Sequence, residues 1–359
     1  MNILHLEASP GWGGQEMRIL REAEGMRRKG HQVFLGVMKG GQLIHRAREA
    51  GFAVYELNFR KSGWIVTFLQ LLWFIRKHQI AVVNTHSSLD AWIGGIAARA
   101  ARVRIIRTRH LSAPIKPGIN SRLLYGRLAD FVVTTCASII PMICKQSGKK
   151  RELCRSIPTG VDPSKIVCSE EAAEEFRRQL GVDEKQMLIG TACFMRSWKG
   201  IPDFLQAAHL LREEKGLRWV IIGGGHAETY KKMAAEMNLE SIVFFTGHLE
   251  NPFPALGSLD VFTLLSTANE GVSQAILQAA YLSKPLIATA VGGLGEVCIP
   301  GETGLQVNSF SPQEVANAVK AFQADPQMRV KMGQSAKKWV EKHFTIDQTI
   351  EGMERVYLS

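Results

Sequence analysis

The sequence predicts an α/β protein built from two doubly wound domains. Short apolar segments alternate with helical patterns, and a new strand begins just after helix ends near residues 30, 51 and 79. Alternation of this kind favours parallel sheets that are covered by helices. Because 359 residues exceed the size of one ordinary domain, two such domains are expected.

Composition argues against several classes of protein. The hydrophobic fraction of 46% is enough for sizeable cores. The longest apolar run, residues 64–75, is too short for a bilayer span of about 20 residues. Six cysteines occur singly, without a Cys-x-x-Cys pair, so a zinc site, a disulfide framework and an oxidising compartment are not indicated. Residues 1–6 lack a cationic start and read as a strand rather than a signal peptide.

A glycine-rich turn follows the first predicted strand. Residues 3–7 form that strand, residues 8–16 include Gly13 and Gly14, and a helix is predicted at 17–29. Glycines between a strand and a helix let the backbone approach a ligand closely. Glycines that serve turn geometry alone are the alternative interpretation.

A histidine follows another predicted strand of the first domain. Residues 82–84 form the strand, His86 lies in the loop after it, and a small-residue helix is predicted at 91–101. His86 is therefore expected at the carboxyl end of the sheet, where open α/β sheets bind ligands. A histidine bonded only within its own loop is the alternative.

The first domain also carries much of the chain's positive charge. The formal net charge is +11, and thirteen basic residues between 99 and 155 are balanced there only by Asp130 and Glu152. This is either a solvated basic face or a surface that attracts anionic lipid or a phosphorylated glycolipid. Because apolar-aromatic stretches occur at 64–77 and 111–124, reversible membrane association is predicted, although the first stretch also suits a helix packed partly on the sheet. Nucleic acid is not a predicted partner, because no binding motif accompanies the charge.

Two cations precede a helix in the second domain. Residues 187–192 form a predicted strand, and Arg196 and Lys199 flank the turn before a helix at 201–211. Two cations beside the free N–H groups of a helix N-terminus suit a diphosphate; two unrelated surface cations are the alternative. Glycine turns at 223–225 and 247–249 end two further predicted strands and are weaker evidence.

A strand, a loop and a helix at residues 261–282 carry the most specific chemistry. The small polar loop contains Glu270, and apolar residues at helical spacing begin at Val272. Free N–H groups from Gly271 to Gln274 are expected to bind an anion. A carboxylate beside an anion is costly unless hydroxyls or cations lie between them, and a sugar attached to a diphosphate supplies the hydroxyls.

These features resemble family 4 retaining glycosyltransferases of the GT-B fold over nearly the whole chain. Glu270 followed by Gly271 resembles the start of the family's Glu-x7-Glu motif, although Gln278 replaces the second glutamate. The Arg-x-x-Lys-Gly segment at 196–200 resembles the family's donor-phosphate pair. The resemblance implies two facing domains with a cleft between them. The acceptor-side domain would be 1–166, with a last helix at about 345–359 packing back on it, and the nucleotide-sugar-binding domain would be 167–344.

The resemblance also implies a role for each candidate residue. Glu270 and His86 would be the catalytic residues that orient the sugar. The donor phosphates would be bound by Arg196, Lys199, Gly271, Val272 and Ser273, the nucleotide by Gln278, Gly224, Gly247, His248 and Leu249, and the cleft loop would contain Gly13 and Gly14. An amide at Gln278 offers one acceptor and one donor group where a glutamate accepts both ribose hydrogens, so the nucleotide preference is left open.

The implied activity is retaining transfer of a hexose-type sugar from a nucleotide-diphosphate sugar, with UDP-sugar favoured, to a glycan or glycolipid acceptor. No cofactor or metal is expected, because cations and helix N-termini stabilise the leaving diphosphate and the chain has no Asp-x-Asp tripeptide. The resemblance implies bacterial cell-envelope polysaccharide or lipopolysaccharide synthesis, in the cytoplasm or on the inner face of its membrane. A sugar-nucleotide epimerase of the same fold and a non-catalytic glycan-binding or scaffold relative are the alternatives.

Overall fold

The computed structural model describes all 359 residues, which divide into two compact units. Unit 1 comprises Met1–Pro158 together with Asp347–Ser359, and unit 2 comprises Thr159–Ile346. The first residues of unit 2 are bound to its last ones, since Val161 N–H donates to Phe344 O and Ile346 N–H donates to Val161 O. The predicted boundary near residue 166 lies beyond this attachment.

Unit 1 contains a parallel sheet of seven strands. The strands are β1 (Asn2–Glu7), β2 (Gln32–Met38), β3 (Val54–Leu57), β4 (Val82–Thr85), β5 (Arg104–Arg109), β6 (Phe131–Thr134) and β7 (Cys154–Ser156). Their order in the sheet is β3-β2-β1-β4-β5-β6-β7. The helices between them are α1 (Gly14–Arg28), α2 (Leu43–Glu49), α3 (Trp64–Lys77), α4 (Ser88–Ala101), α5 (Ile119–Ser121) and α6 (Ile140–Ser147).

Unit 2 contains a parallel sheet of six strands. The strands are β8 (Met187–Ala192), β9 (Leu217–Ile222), β10 (Val243–Gly247), β11 (Val261–Leu264), β12 (Leu286–Thr289) and β13 (Gly304–Val307). Their order is β10-β9-β8-β11-β12-β13. The helices are α7 (Glu170–Gln179), α8 (Ile201–Leu210), α9 (Ala227–Glu236), α10 (Phe253–Gly257), α11 (Gln274–Tyr281), α12 (Pro312–Ala324) and α13 (Pro326–His343), and the chain ends in α14 (Ile346–Leu358).

The doubly wound α/β class predicted from the sequence is confirmed in both units. Strands β8 and β11 are buried at every residue, as expected for strands covered on both sides by helices. Each sheet reverses its strand order beside its first strand, β1 in unit 1 and β8 in unit 2. The loops that follow β1, β4, β8 and β11 therefore flank the two switch points, where sheets of this class bind ligands.

Helix α14 contributes to the core of unit 1. Tyr357 on this helix is 2% exposed. Its hydroxyl donates to Glu22 on α1 and accepts from Asn84 Nδ2 on β4, the latter at 2.7 Å. Two buried polar groups on the earlier part of the chain thus have their partner on the last helix.

Three helices begin elsewhere than the sequence predicts, and one of them is α4, which begins at Ser88 rather than residue 91. Helix α1 begins at Gly14 rather than residue 17, because Met17 N–H already donates to Gly13 O. Gly14 is thus the first helical residue and not part of the loop. Helix α11 begins at Gln274 rather than Val272, because Ser273 is extended, with φ −72° and ψ 135°. No helix combines the length and the apolar character needed to cross a membrane.

Candidate functional site

The loops that follow β8 and β11 are bound to each other in unit 2. Thr267 N–H donates to Trp198 O at 2.8 Å. Gly200 has φ +69°, and a Cβ atom placed there would lie 2.0 Å from Leu265 O. Glycine is therefore required at this position, both for its backbone conformation and for the close approach. The contact holds the segment with Arg196 and Lys199 beside the loop with Glu270.

This packing joins Lys199 to Glu270. Lys199 Nζ donates to Glu270 Oε1, and Ser266 Oγ donates to the same oxygen at 2.7 Å. The side chains of Lys199 and Glu270 are only 17% and 7% exposed. Charge-assisted hydrogen bonds of this kind are stronger than neutral ones. The structure therefore brings the predicted phosphate-binding cation and the predicted sugar-binding carboxylate into one place.

Arg196 lies on the same segment but remains exposed. Its guanidinium carbon lies 5.2 Å from the ring centroid of Phe194 and 5.3 Å from that of Trp198. Stacking on aromatic rings orients a guanidinium without using its N–H donors. Arg196 forms no ion pair in the structure, so its donors are available to an anion.

The predicted anion-binding backbone at Gly271, Val272 and Ser273 lies ahead of helix α11, not in its first turn. A Cβ atom on Gly293 would lie 2.6 Å from Val272 N, so the next loop packs directly against this segment. Val272 is buried and Ser273 is the residue that precedes the helix. The prediction is corrected accordingly: these three residues offer loop N–H groups, and the N–H groups of the first helical turn begin at Gln274.

The predicted nucleotide-binding turns lie next to the phosphate segment. Met195 N–H donates to Gly224 O at 2.8 Å, and Gly223 N–H donates to Gly247 O at 2.9 Å. A Cβ on Gly224 would lie 3.7 Å from His248 Cβ. The turns after β8, β9 and β10 are thus contiguous at one edge of the sheet, and Leu249 follows them, half-buried. Gln278 lies half-buried on α11, and its side chain forms no hydrogen bond.

In unit 1, His86 lies between two other histidines. His86 Nε2 is 2.9 Å from His5 Nδ1, and His86 Nδ1 is 2.9 Å from His110 Nε2. His86 is 2% exposed. Burial, followed by repulsion from its neighbours, holds the pKa of His86 well below its usual range, so that the ring is neutral. Because both ring nitrogens are occupied, His86 has none left for a substrate.

His110, which the sequence reasoning did not select, ends this row of rings. It follows directly after β5, and its Nδ1 has no hydrogen-bond partner and reaches solvent. The position immediately after a strand was the signal that could have identified it, as it did for His86. His110 is thus the histidine of the row that can contact a bound molecule.

Two buried carboxyl groups fix the loops after β1 and β4. Asp90 accepts hydrogen bonds from the N–H groups of Ala8, His86 and Ser87. Burial and the neighbouring Asp90 raise the pKa of Glu7 to about 8, and burial raises the pKa of Asp90 to about 6. The loop after β1 ends at Gly13, beside the exposed Gly14. No group of three or more His, Cys, Asp or Glu side chains is placed to hold a metal ion.

Comparison with known proteins covers both units. A family model described as Glycosyltransferase Family 4 matches residues 12–165, and one described as Glycosyl transferases group 1 matches residues 172–339. A D-inositol 3-phosphate glycosyltransferase of Corynebacterium aurimucosum is 24% identical over 329 residues, which are 87% of this chain and 73% of that protein.

Solved structures share the fold. A glycosyltransferase from Rickettsia africae superposes with a TM-score of 0.91 at 18% identity, covering 99% of this chain and 97% of that one. The Anabaena protein HepE (Alr3699), in complex with UDP, superposes with a TM-score of 0.88 at 20% identity, covering 99% of each chain. At these identities, the likeness concerns the fold alone.

Proposed function

Because the chain belongs to the family 4 glycosyltransferases, we propose that it moves a hexose-type sugar from a nucleotide-diphosphate sugar to a glycan or glycolipid acceptor, with retention of configuration. The observation that carries the proposal is the pairing of Lys199 with Glu270 at the switch point of unit 2. A cation suited to phosphate and a carboxylate suited to hydroxyls, one hydrogen bond apart, match the two halves of a sugar diphosphate.

In the proposed reaction, Arg196 and Lys199 neutralise the charge that develops on the leaving diphosphate. Glu270, which is already an acceptor of two hydrogen bonds, accepts further ones from sugar hydroxyls. The leaving phosphate takes the acceptor's proton, so no side chain serves as general base. The likeness to a protein described with UDP supports a UDP-sugar donor. Neither a cofactor nor a metal ion is part of the proposal.

Within unit 1, we assign the substrate contact to His110 rather than to His86. The support is geometric, since His86 uses both nitrogens on other histidines whereas Nδ1 of His110 is open. His86 then acts by holding His110. The loop through Gly13, which Asp90 fixes at Ala8, remains a candidate for backbone contact with the substrate.

A donor-hydrolysis screen across UDP-, GDP- and ADP-sugars tests the proposed reaction. Slow release of the nucleoside diphosphate, accelerated by a glycan acceptor, is the expected result. Interconversion of sugars without release would instead indicate an epimerase. The absence of both reactions, with binding of glycan alone, would indicate a scaffold and contradict the proposal.

Substitution of Gln278 tests the nucleotide end of the site. We expect Gln278→Glu to preserve or improve affinity for the nucleoside diphosphate, because a carboxylate accepts both ribose hydrogens. Gln278→Leu should weaken binding by roughly 1 kcal/mol. Calorimetry with UDP measures both changes, and equal affinity in the parent and both variants would remove Gln278 from the site.

Helix α3 presents an exposed apolar stripe that suits a membrane surface. Ile65, Val66, Leu69 and Trp73 are 80%, 60%, 58% and 53% exposed. No acidic residue occurs from 57 to 89, whereas basic residues lie at both ends of the helix: Arg60, Lys61, Arg76 and Lys77. A second copy of the chain on this face would bring like charges together, whereas anionic lipid would neutralise them at about 1 kcal/mol per cation. We therefore propose reversible association with anionic lipid on the inner face of the cytoplasmic membrane, in cell-envelope polysaccharide or lipopolysaccharide synthesis.

Vesicle co-sedimentation tests this association. We expect the parent protein to sediment with phosphatidylglycerol vesicles at low salt and to be released at high salt. The double variant Leu69→Gln/Trp73→Gln should sediment less, because it loses apolar side chains that insert into lipid. Val330→Gln, at a position 60% exposed in unit 2, is the matched control and should behave like the parent. A parent protein that stays in the supernatant at low salt would show that the basic residues at the ends of α3 only face solvent and do not bind anionic lipid.

A further inference from the structure

We propose that His5, His86 and His110 form a one-directional chain of neutral imidazoles, in which every Nδ1 carries the proton, so that His110 presents an N–H donor to the substrate. His5 is then a positioning residue that acts on the site through two other rings. This inference rests on the proposed function only where it assigns the substrate to His110, and the order of protons can be tested without it.

The geometry couples the three protonation patterns. Each link joins Nδ1 of one ring to Nε2 of another, at 2.9 Å in both cases, and the ring centroids are 5.2 Å apart in both pairs. A neutral imidazole has one donor nitrogen and one acceptor nitrogen. Once one ring adopts a tautomer, its neighbour must therefore adopt the same one, and only two patterns exist for the whole row.

The neutrality of the rings has a physical cause. Burial lowers the pKa of His5, His86 and His110. The guanidinium groups of Arg18 and Arg107 lower the pKa of His86 and His110 further. The one anion that acts on His5 is Glu22; it lies 3.7 Å from Arg18 Nε and already accepts from Tyr357.

The direction in which the rings donate their protons follows from the environment of His5 Nε2, at the inner end of the row. His5 Nε2 is buried and has no hydrogen-bond partner. If it carried a proton, that donor would be left unsatisfied inside the protein, and buried unpaired N–H groups are rarer than under-used acceptors. We therefore place a lone pair on His5 Nε2. His5 Nδ1–H then donates to His86 Nε2, His86 Nδ1–H donates to His110 Nε2, and His110 Nδ1–H points outward.

This pattern determines what His110 can do. A nitrogen that already holds its proton donates to an oxygen of the sugar or of the phosphate, and it cannot accept a proton from the acceptor hydroxyl. His110 would then bind and orient a substrate oxygen rather than serve as a base. The reverse pattern would place a lone pair on His110 Nδ1 and allow base chemistry there.

Nitrogen NMR of the full chain reads the pattern directly. The ten histidines are labelled with 15N and recorded by long-range proton–nitrogen correlation near neutral pH, with and without UDP. Single His5→Asn and His110→Gln variants assign the signals. We expect protonated Nδ1 and unprotonated Nε2 in all three rings. Protonated Nε2 in His86 and His110, or an imidazolium in either, would overturn the proposal.

Turnover of the same variants provides the functional readout. His5→Asn keeps an amide donor where Nδ1 lies, whereas His5→Leu leaves His86 Nε2 without a partner. We expect kcat/KM to fall about tenfold in His5→Leu and to recover in His5→Asn, in keeping with the loss and return of one hydrogen bond. Equal losses in both folded variants would contradict a role for the donated proton. If the NMR pattern holds but no sugar is transferred, the proposed function fails while the imidazole chain stands.

Discussion

Replacement of Lys199 by alanine is expected to lower both turnover and stability. Loss of charge-assisted bonds to the donor phosphates, each worth about 1.5–3 kcal/mol, should reduce kcat/KM by tenfold or more. The same change leaves the carboxylate of Glu270, which is 7% exposed, without its cation. Removing one partner of a buried ion pair costs about 3–5 kcal/mol, and the hydrogen bond from Ser266 offsets only part of that.

A double variant separates these two effects. Lys199→Ala/Glu270→Gln also neutralises the buried carboxylate, so we expect urea unfolding to recover most of the lost stability while turnover stays low. Steady-state kinetics and the unfolding midpoint are measured for the parent, the single variant and the double variant. Unchanged kinetics in a folded Lys199→Ala protein would refute the phosphate assignment. Equal stability of the single variant and the parent would refute the energetic role of the pair.

Replacement of Gly200 by alanine is expected to be the most destabilising single change at the site. An alanine there adopts φ +69° only at a cost of about 1–2 kcal/mol, and its Cβ would lie 2.0 Å from Leu265 O. Backbone atoms cannot move aside as a flexible side chain can. We expect a total loss of about 3–5 kcal/mol, together with weaker UDP binding, because the loops that carry Lys199 and Glu270 must separate.

Gly181 supplies the matched control for that substitution. It has φ +65° in the same unit, but no atom lies within 4 Å of where its Cβ would be. Gly181→Ala therefore incurs the conformational cost without the overlap, and its UDP affinity should match that of the parent. Urea unfolding and UDP calorimetry on both variants make the comparison. If the two substitutions lowered the free energy of unfolding equally, the close approach of Gly200 to Leu265 would not be a cause of the destabilisation.

The strands of both sheets could be predicted because strands that are buried on both faces appear in the sequence as short apolar runs. Strands β8 and β11 are short apolar runs, and the loop after β11 is small and polar from Ser266 onwards. Helix α3 has the predicted bounds, Trp64–Lys77. The start of α11 could not be predicted, because Val272 continues the apolar spacing of the helix. Its exclusion depends on the packing of Gly293, a contact between distant residues that no local pattern records.

One part of the candidate site could be predicted from the sequence and another part could not. The proximity of Lys199 and Glu270 could be expected, because each follows a strand and carboxyl ends of parallel strands share one edge. The hydrogen bonding of both His86 ring nitrogens could not be predicted. It depends on the histidines of β1 and of the loop after β5, which lie on either side of β4. Three histidines at adjacent strands are visible in the sequence, but which nitrogens meet is decided by register and side-chain rotation.

The position of α14 has a consequence for biosynthesis. Unit 2 is contained wholly within Thr159–Ile346, whereas unit 1 needs Asp347–Ser359 as well. On the ribosome, the segment that is translated first must therefore wait, with Asn84 and Glu22 lacking their tyrosine partner, until translation has passed through all of unit 2. Unit 1 therefore cannot complete its core while unit 2 is being synthesised, although its own first residues are the earliest to leave the ribosome.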